Sequence, residues 1–229
     1  MKKSKLALIR QLKTQKISTG ILASNWLTFA QTLSALKQHH MHLLHFDIAD
    51  GQFSPLFTVG CHALKQFPHC CYKDVHLMVR DQEKQAKECI KNGATIITLQ
   101  LEGDGNLTQI LDDINSQQAI ISGLSLCPDT DLSRLQPYLE QVDLIQILTL
   151  DPRTGVKADE FSISTRIKSI INILGEKRHE KILAVDGSMT LALAKKVKQL
   201  GIDWVVTGSA LFANENLDNT LTQWNVELN

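Results

Sequence analysis

Short, nearly continuous apolar segments alternate along this chain with longer segments in which apolar residues recur every three or four positions. The short segments are rich in Ile, Val and Leu, as is typical of parallel strands that are covered on both faces. They predict eight strands, near Ile17–Leu22, Leu43–Asp47, Asp74–Met78, Thr95–Leu101, Ala119–Leu126, Leu144–Leu150, Ile182–Asp186 and Trp204–Thr207.

The longer segments predict amphipathic helices between the strands. Two apolar stripes consist of Leu27, Ala30, Leu33 and Leu36, and of Leu191, Leu193, Val197 and Leu200. Residues that commonly cap helix N-termini stand at Asn25, Asp81, Asn106, Thr130 and Thr190. Gly93 and Gly201 follow helical segments where a left-handed residue often ends a helix.

Consecutive β-α units without an intervening linker predict an α/β protein with a single (β/α)8 TIM barrel over residues 17–229. A doubly wound open sheet is the alternative, but no Gly-x-Gly-x-x-Gly motif follows the first strand to support it. Residues 1–16 are basic, with Leu6, Leu8, Ile9 and Leu12 at helical spacing. They predict a packed N-terminal helical extension rather than a signal peptide or a membrane span.

Charge and cysteine content narrow the class of protein. Lys+Arg and Asp+Glu number 24 each, so the formal net charge is zero, and aromatic residues make up 5%. This balance argues against nucleic acid or a membrane surface as partner. The five cysteines include one adjacent pair and no Cys-x-x-Cys, which predicts reduced thiols and a cytoplasmic location. Homo-oligomer formation is left open.

Polar residues with metal-binding side chains stand near the ends of three predicted strands. His45 and Asp47 are two positions apart, so in a strand both side chains point the same way. His76 and Asp186 end two further strands. A lone histidine is more often a core or surface residue, and a lone aspartate a cap or an ion-pair partner. Their joint presence at one end of a barrel favours a metal site.

Several separated motifs together resemble the ribulose-phosphate 3-epimerase family, over about Ile17 to Phe212. The similarity is carried by Phe46-Asp47-Ile48-Ala49-Asp50-Gly51-Gln52-Phe53-Ser54-Pro55, and then by Thr58–Gly60, Asp74–Val79, Gly93–Thr98, Val185–Ser188 and Thr207–Phe212. Each motif alone is weak, whereas all of them in this order on this fold are specific.

The resemblance implies an isomerase that inverts C3 of a ketose phosphate. It implies that His45, Asp47, His76 and Asp186 hold one divalent metal ion, and that Asp47 and Asp186 are also the paired catalytic acid and base. Two imidazoles and two carboxylates suit Zn, Fe(II), Mn or Co, and the residues do not choose among them.

The resemblance also implies a small-molecule sugar phosphate as substrate, and it indicates which residues bind this substrate. The family binds the phosphate at glycine-rich turns after the seventh and eighth strands, where backbone N–H groups attract an anion. The substrate-binding residues that correspond in this chain are Met78, Gly155, Gly187, Ser188, Gly208 and Ser209. A tight turn and a helix cap are the alternative interpretation of Gly208 and Ser209.

The chain departs from the family pattern around the substrate. Gly20 stands where the family has a serine, Ala49 and Leu148 where it has methionines, and Gln100 where it has a histidine. The sixth loop, 151–157, retains one glycine of the family's Asn-Pro-Gly-Phe-Gly-Gly-Gln. Arg153 or Lys157 could compensate through charge, or the loop is simply solvated.

The sequence is therefore compatible with three functions. The first is an epimerase, with D-ribulose 5-phosphate and D-xylulose 5-phosphate as the expected pair, or another ketose phosphate such as a ketohexose 6-phosphate. The second is a decarboxylase of a sugar-acid phosphate, against which the absence of Asp-x-Lys-x-x-Asp at the third strand argues. The third is a non-catalytic sugar-phosphate-binding paralogue, against which both retained carboxylates argue.

Overall fold

The structure, a computed structural model, describes residues 2–228, with the side chains of 5–228. Eight parallel strands close into a barrel in which each strand pairs with its neighbour in sequence and the eighth pairs with the first. The strands are β1 Ile17–Gly20, β2 Leu43–Ala49, β3 Tyr72–Met78, β4 Ile96–Gln100, β5 Ile121–Leu126, β6 Leu144–Leu148, β7 Ile182–Asp186 and β8 Trp204–Thr207. The predicted TIM barrel is confirmed.

Helices cover the outside of the barrel and connect most of the strands. They are α1 Lys2–Leu12, α2 Phe29–Gln38, α3 Gln82–Lys91, α4 Leu107–Asn115, α5 Glu160–Leu174, α6 Leu191–Gln199, α7 Ser209–Phe212 and α8 Leu217–Leu228. The β2–β3 and β5–β6 connections contain 3₁₀ helices instead, at Cys61–Gln66, Leu132–Arg134 and Gln136–Tyr138. Thr130 therefore caps no α-helix, and its hydroxyl donates to the Glu102 carboxylate.

Local signals set the helix ends as predicted at most places. The side chains of Asp81, Asn106 and Thr190 accept hydrogen bonds from the first turns of α3, α4 and α6. Asn25 caps the 3₁₀ helix Trp26–Thr28. Gly93 and Gly201 adopt φ of 84° and 97°, the left-handed conformation that ends a helix at low cost.

The apolar stripe predicted for α2 is wrong in its first half. Leu27 is 95% exposed because it lies in the 3₁₀ helix before α2, and Ala30 is exposed on the outer face. The helix starts at Phe29, and its buried positions are Thr32 and Leu36. The change from 3₁₀ to α geometry shifts the helix face, which an unbroken 3.6-residue period does not anticipate.

Two separate apolar cores hold the barrel. The larger lies between the strands and the surrounding helices. The smaller fills the barrel interior at the N-terminal ends of the strands, and α1 packs on it through Ile9 and Leu12. This inner layer contains Leu43, Ile96, Ile121, Leu144, Ile182, Ala184, Trp204 and Val206. The predicted N-terminal helix therefore closes the end of the barrel opposite the strand C-termini.

Cys61 and Cys89 form a disulfide that joins the β2–β3 connection to α3, so the prediction of reduced thiols is wrong for this pair. Their sequence separation of 28 residues is bridged by the fold, with Cα atoms 4.9 Å apart. Cys70, Cys71 and Cys127 are free. Over residues 2–228, the helices are all too short or too polar to cross a lipid bilayer.

We predict that Leu12→Ala destabilises the fold by about 2–5 kcal/mol, because this fully buried side chain fills the closed end of the barrel. Urea unfolding of the full chain measures the change. Gln11→Ala is the matched control, since Gln11 is exposed on the same helix. Equal stability of the two variants would contradict the role assigned to α1.

Candidate metal centre and active site

The four predicted metal ligands meet inside the barrel at the C-terminal ends of the strands. β2 supplies His45 and Asp47, β3 supplies His76 and β7 supplies Asp186. The β2–β3 register sets Asp47 directly beside His76. One nitrogen or oxygen from each of the four residues lies within 4.8 Å of all the others.

The distances between these atoms suit a single transition-metal ion. Asp47 Oδ1 lies 3.3 Å from His45 Nε2 and 3.2 Å from His76 Nδ1. Asp186 Oδ2 lies 3.8 Å from His45 Nε2 and 3.9 Å from His76 Nδ1. Donors about 2.0–2.2 Å from a tetrahedral ion stand roughly 3.3–3.6 Å apart. The donor set and its spacing therefore fit the ion that the sequence implies.

Asp74 orients the first imidazole. Its Oδ2 lies 2.9 Å from His45 Nδ1 and also accepts a hydrogen bond of 2.7 Å from the Ser18 hydroxyl. With its proton on Nδ1, His45 presents the lone pair of Nε2 to the cluster, as a metal-binding histidine must. Sequence reasoning missed this role, although Asp74 precedes His76 by two positions and so faces the same side of β3.

Two fully buried glutamines complete the surroundings of the cluster. Gln100 Oε1 lies 2.7 Å from His76 Nε2 and accepts its proton, which leaves the lone pair of Nδ1 free for a metal ion. The Gln100 amide nitrogen donates to Glu102 at 2.6 Å. Gln146 Nε2 donates to Asp186 Oδ2 at 2.9 Å. Gln100 therefore orients the candidate ligand His76 from the place where the family has a histidine.

The two carboxyl groups have different proton affinities. Burial, followed by the nearby charge of Asp47, raises the pKa of Asp186 to about 6. Burial also acts to raise the pKa of Asp47, but when the rings of His45 and His76 are protonated towards it, their charge and hydrogen bonds outweigh burial and hold that pKa well below its usual range. At neutral pH Asp47 is thus the more firmly ionised of the pair.

Two cavities open on either side of this carboxylate pair, and both are lined by Asp47, Asp186 and Gly187. The first, the glycine–serine cavity, has a volume of about 250 Å³ and is also lined by Ser188, Gly208 and Ser209. The second, the apolar cavity, has a volume of about 360 Å³ and is also lined by Met78 and Gly155. All six expected substrate contacts thus border the site, and their roles stay predictions.

Gly20 and Gly208 pack backbone against backbone at the rim of the glycine–serine cavity. A Cβ at Gly208 would lie 2.7 Å from the Gly20 carbonyl oxygen, and a Cβ at Gly20 would lie 3.1 Å from Gly208 Cα. Such distances require the backbone to shift. The close approach of the two backbones therefore requires glycine at both positions. The serine that the family has at position 20 would not fit here without a local shift of the backbone.

The sixth loop folds back on itself beside the apolar cavity. Arg153 binds Asp151 through two nitrogens, Nη2 at 2.6 Å and Nε at 2.9 Å. Lys157 forms an isolated antiparallel β-bridge with Leu150 through the backbone, and it lines neither of the two cavities. Of Arg153 and Lys157, either of which could compensate for the missing glycines, Arg153 alone lines one of the two cavities, and its charge is largely balanced by Asp151.

Comparison with known proteins supports the sequence resemblance. The model of the ribulose-phosphate 3 epimerase family matches residues 16–212. A protein of Salmonella paratyphi A named "Putative epimerase LsrE" is 40% identical over 226 residues, which cover 95% of this chain and 89% of the relative. The chloroplastic ribulose-5-phosphate-3-epimerase of Arabidopsis thaliana is 31% identical over 201 residues, which cover 86% of this chain and 71% of the relative.

Solved structures with low sequence identity share the fold alone. Orotidine 5'-phosphate decarboxylase from Pyrococcus horikoshii superposes with a TM-score of 0.66 at 10% identity, over 93% of this chain and 98% of that one. KGPDC from Streptococcus mutans gives a TM-score of 0.61 at 15% identity, over 93% of this chain and 97% of that one.

The family match spans most of the barrel, including every strand that carries a candidate ligand. It agrees with the site geometry and with the two named epimerases among the relatives. The chain belongs to the ribulose-phosphate 3-epimerase family and is an isomerase, a ketose-phosphate epimerase.

Proposed function

We propose that this protein is a metal-dependent epimerase that inverts C3 of a ketose phosphate, with D-ribulose 5-phosphate and D-xylulose 5-phosphate as the expected pair. The observation that carries the proposal is the convergence of two imidazoles and two carboxylates between two cavities. A substrate that spans both cavities would hold its middle carbons against Asp47 and Asp186.

The chemistry explains why these residue types are needed. A C3 proton beside a carbonyl is weakly acidic, so its removal requires stabilisation of the negative charge that develops on oxygen. His45, Asp47, His76 and Asp186 would hold one divalent ion, and such an ion would supply that stabilisation as a Lewis acid. The Asp74 and Gln100 contacts support this role, because they fix the ring protons away from the cluster.

Inversion requires that a proton leave from one face of C3 and that another arrive on the opposite face. Asp47 on β2 and Asp186 on β7 come from separate parts of the barrel wall. One carboxylate would accept the proton, and the other, in its protonated form, would donate. The different surroundings of the two carboxyl groups support such a division, since both imidazoles lie beside Asp47 Oδ1 whereas the Gln146 amide donates to Asp186 Oδ2.

The glycine–serine cavity is the proposed place of the substrate phosphate. Among the described residues, none of those that line it is a lysine or arginine, so an anion there would be held chiefly by backbone N–H groups. Gly187 and the adjacent Ser188 both have positive φ, at 104° and 42°, which sharply turns the chain after β7. Gly208 and Ser209 provide the neighbouring turn after β8.

One experiment distinguishes an epimerase of pentulose phosphates from an epimerase of hexulose phosphates and from a non-catalytic binder. Solvent deuterium incorporation at C3, measured over a panel of ketose phosphates, would identify an epimerase of pentulose or of hexulose phosphates. A non-catalytic binder would exchange none of them. Decarboxylation of a sugar-acid phosphate is disfavoured by β3, where His76 occupies the position of the lysine in the decarboxylase motif.

We expect the purified protein to contain about one divalent transition-metal ion per chain, and His45→Ala and His76→Ala to remove most of it, because each variant deletes one of four donors. Elemental analysis measures the metal content, with circular dichroism to check folding. His69→Ala, an exposed histidine away from the cluster, is the control. Unchanged metal in both site variants would overturn the ligand assignment.

Asp47→Asn and Asp186→Asn should each lower epimerisation by at least roughly 10²–10⁴-fold, because each removes one group of the proton relay and one charged metal ligand. The measurement is kcat for conversion of D-ribulose 5-phosphate. Asp104→Asn, at an exposed carboxylate on the β4–α4 loop, should keep the activity of the unmodified protein. Near-normal turnover by either site variant would exclude the two-carboxylate mechanism.

A further inference from the structure

The apolar cavity differs in chemistry from the glycine–serine cavity on the other side of the carboxylates. Met78 and Leu148 form part of its lining and are each 4% exposed. Leu150 packs near Gly187, because a Cβ at that glycine would lie 3.2 Å from Leu150 Cδ2. Pro55, Leu56 and Pro152 complete the set of apolar side chains.

This lining offers few partners for a hydroxyl group. Proline has no backbone N–H, so neither Pro55 nor Pro152 can donate from its main chain. The Arg153 guanidinium already binds Asp151 through Nε and Nη2. The Thr154 hydroxyl accepts a hydrogen bond from Val156 N at 3.3 Å. The side-chain polar groups that remain in the lining are Arg153 Nη1 and those of the reaction itself, namely Asp47, His76 and Asp186.

The orientation of a bound ketose phosphate follows from the proposed function, on which this inference rests. With the phosphate in the glycine–serine cavity and C3 at the carboxylates, C1 and C2 extend into the apolar cavity. A ketohexose 6-phosphate adds its extra carbon between C3 and the phosphate. The apolar cavity therefore contacts the carbonyl end of the substrate, C1 and C2. It does not contact the added carbon.

We propose that the preferred substrate is a 1-deoxyketose phosphate, in which C1 is a methyl group instead of a hydroxymethyl group. A methyl group gains from burial against Leu148, Leu150 and Met78. A C1 hydroxyl would lose hydration without finding a partner among these side chains, and such a loss is unfavourable. The acidity of C3–H is retained, since the carbonyl at C2 is present in both compounds.

The test compares 1-deoxy-D-xylulose 5-phosphate with D-xylulose 5-phosphate, which differ by one hydroxyl group. In D₂O the C3–H bond breaks, its proton exchanges with solvent, and a deuteron returns to C3. We expect kcat/KM for this exchange to favour the deoxy compound by about tenfold to a hundredfold, the range over which an apolar pocket discriminates against an added hydroxyl.

Variants of the cavity wall locate the source of the preference. Leu56→Asn and Leu150→Asn introduce an amide of similar size, and each should reduce the ratio of the two kcat/KM values severalfold. Leu56 is 49% exposed, so its replacement should leave the fold intact. Leu27→Asn, at a leucine that is 95% exposed and outside the cavity, should leave the ratio unchanged.

The outcomes separate this inference from the proposed function. Exchange of both compounds with equal efficiency, or with preference for D-xylulose 5-phosphate, would overturn the deoxy preference and leave the epimerase proposal standing. A deoxy preference that neither Leu56→Asn nor Leu150→Asn reduces would overturn the role of the apolar wall. Exchange of neither compound by metal-loaded protein would overturn the proposed pentulose-phosphate chemistry and this inference with it.

Discussion

The pairing of β2 with β3 inside a closed barrel is the constraint on which the site depends. Its register sets Asp47 beside His76 and His45 beside Asp74, and barrel closure brings Asp186 of β7 against them. Two carboxylates at such close quarters repel each other, and a cation bound among the four candidate ligands would offset that repulsion. A slip of one residue in β2 would turn its ligands out of the barrel.

The groups behind the four candidate ligands determine which of their atoms face the cluster. Asp74 and Gln100 each occupy one nitrogen of an imidazole, so the other nitrogen faces the cluster. Gln146 fixes one oxygen of Asp186 in the same way. The buried polar layer packs on the apolar layer that α1 closes. The N-terminal end of the barrel therefore contributes to stability, and the C-terminal end contains the candidate site.

The cavity walls that border the candidate site come from a different part of the molecule than the four candidate ligands. The two cavities share the carboxylates, but one is walled by glycines and serines and the other mainly by aliphatic side chains and prolines. These walls come largely from loops after the strands, which a barrel can vary without moving its ligands. The Arg153–Asp151 ion pair and the close Gly20–Gly208 backbone contact are two features of these walls that leave the strands unchanged.

Strand periodicity and strand-end position are local properties, so the order of residues alone predicts the eight strands, the barrel and the four candidate ligands. The buried face of α2, the Cys61–Cys89 disulfide and the partners of Gln100 and Gln146 became visible only in the folded chain. Each of these depends on contacts between distant segments or on a change of helix type. No local pattern of residues encodes such contacts, since the register and closure of the whole barrel set them.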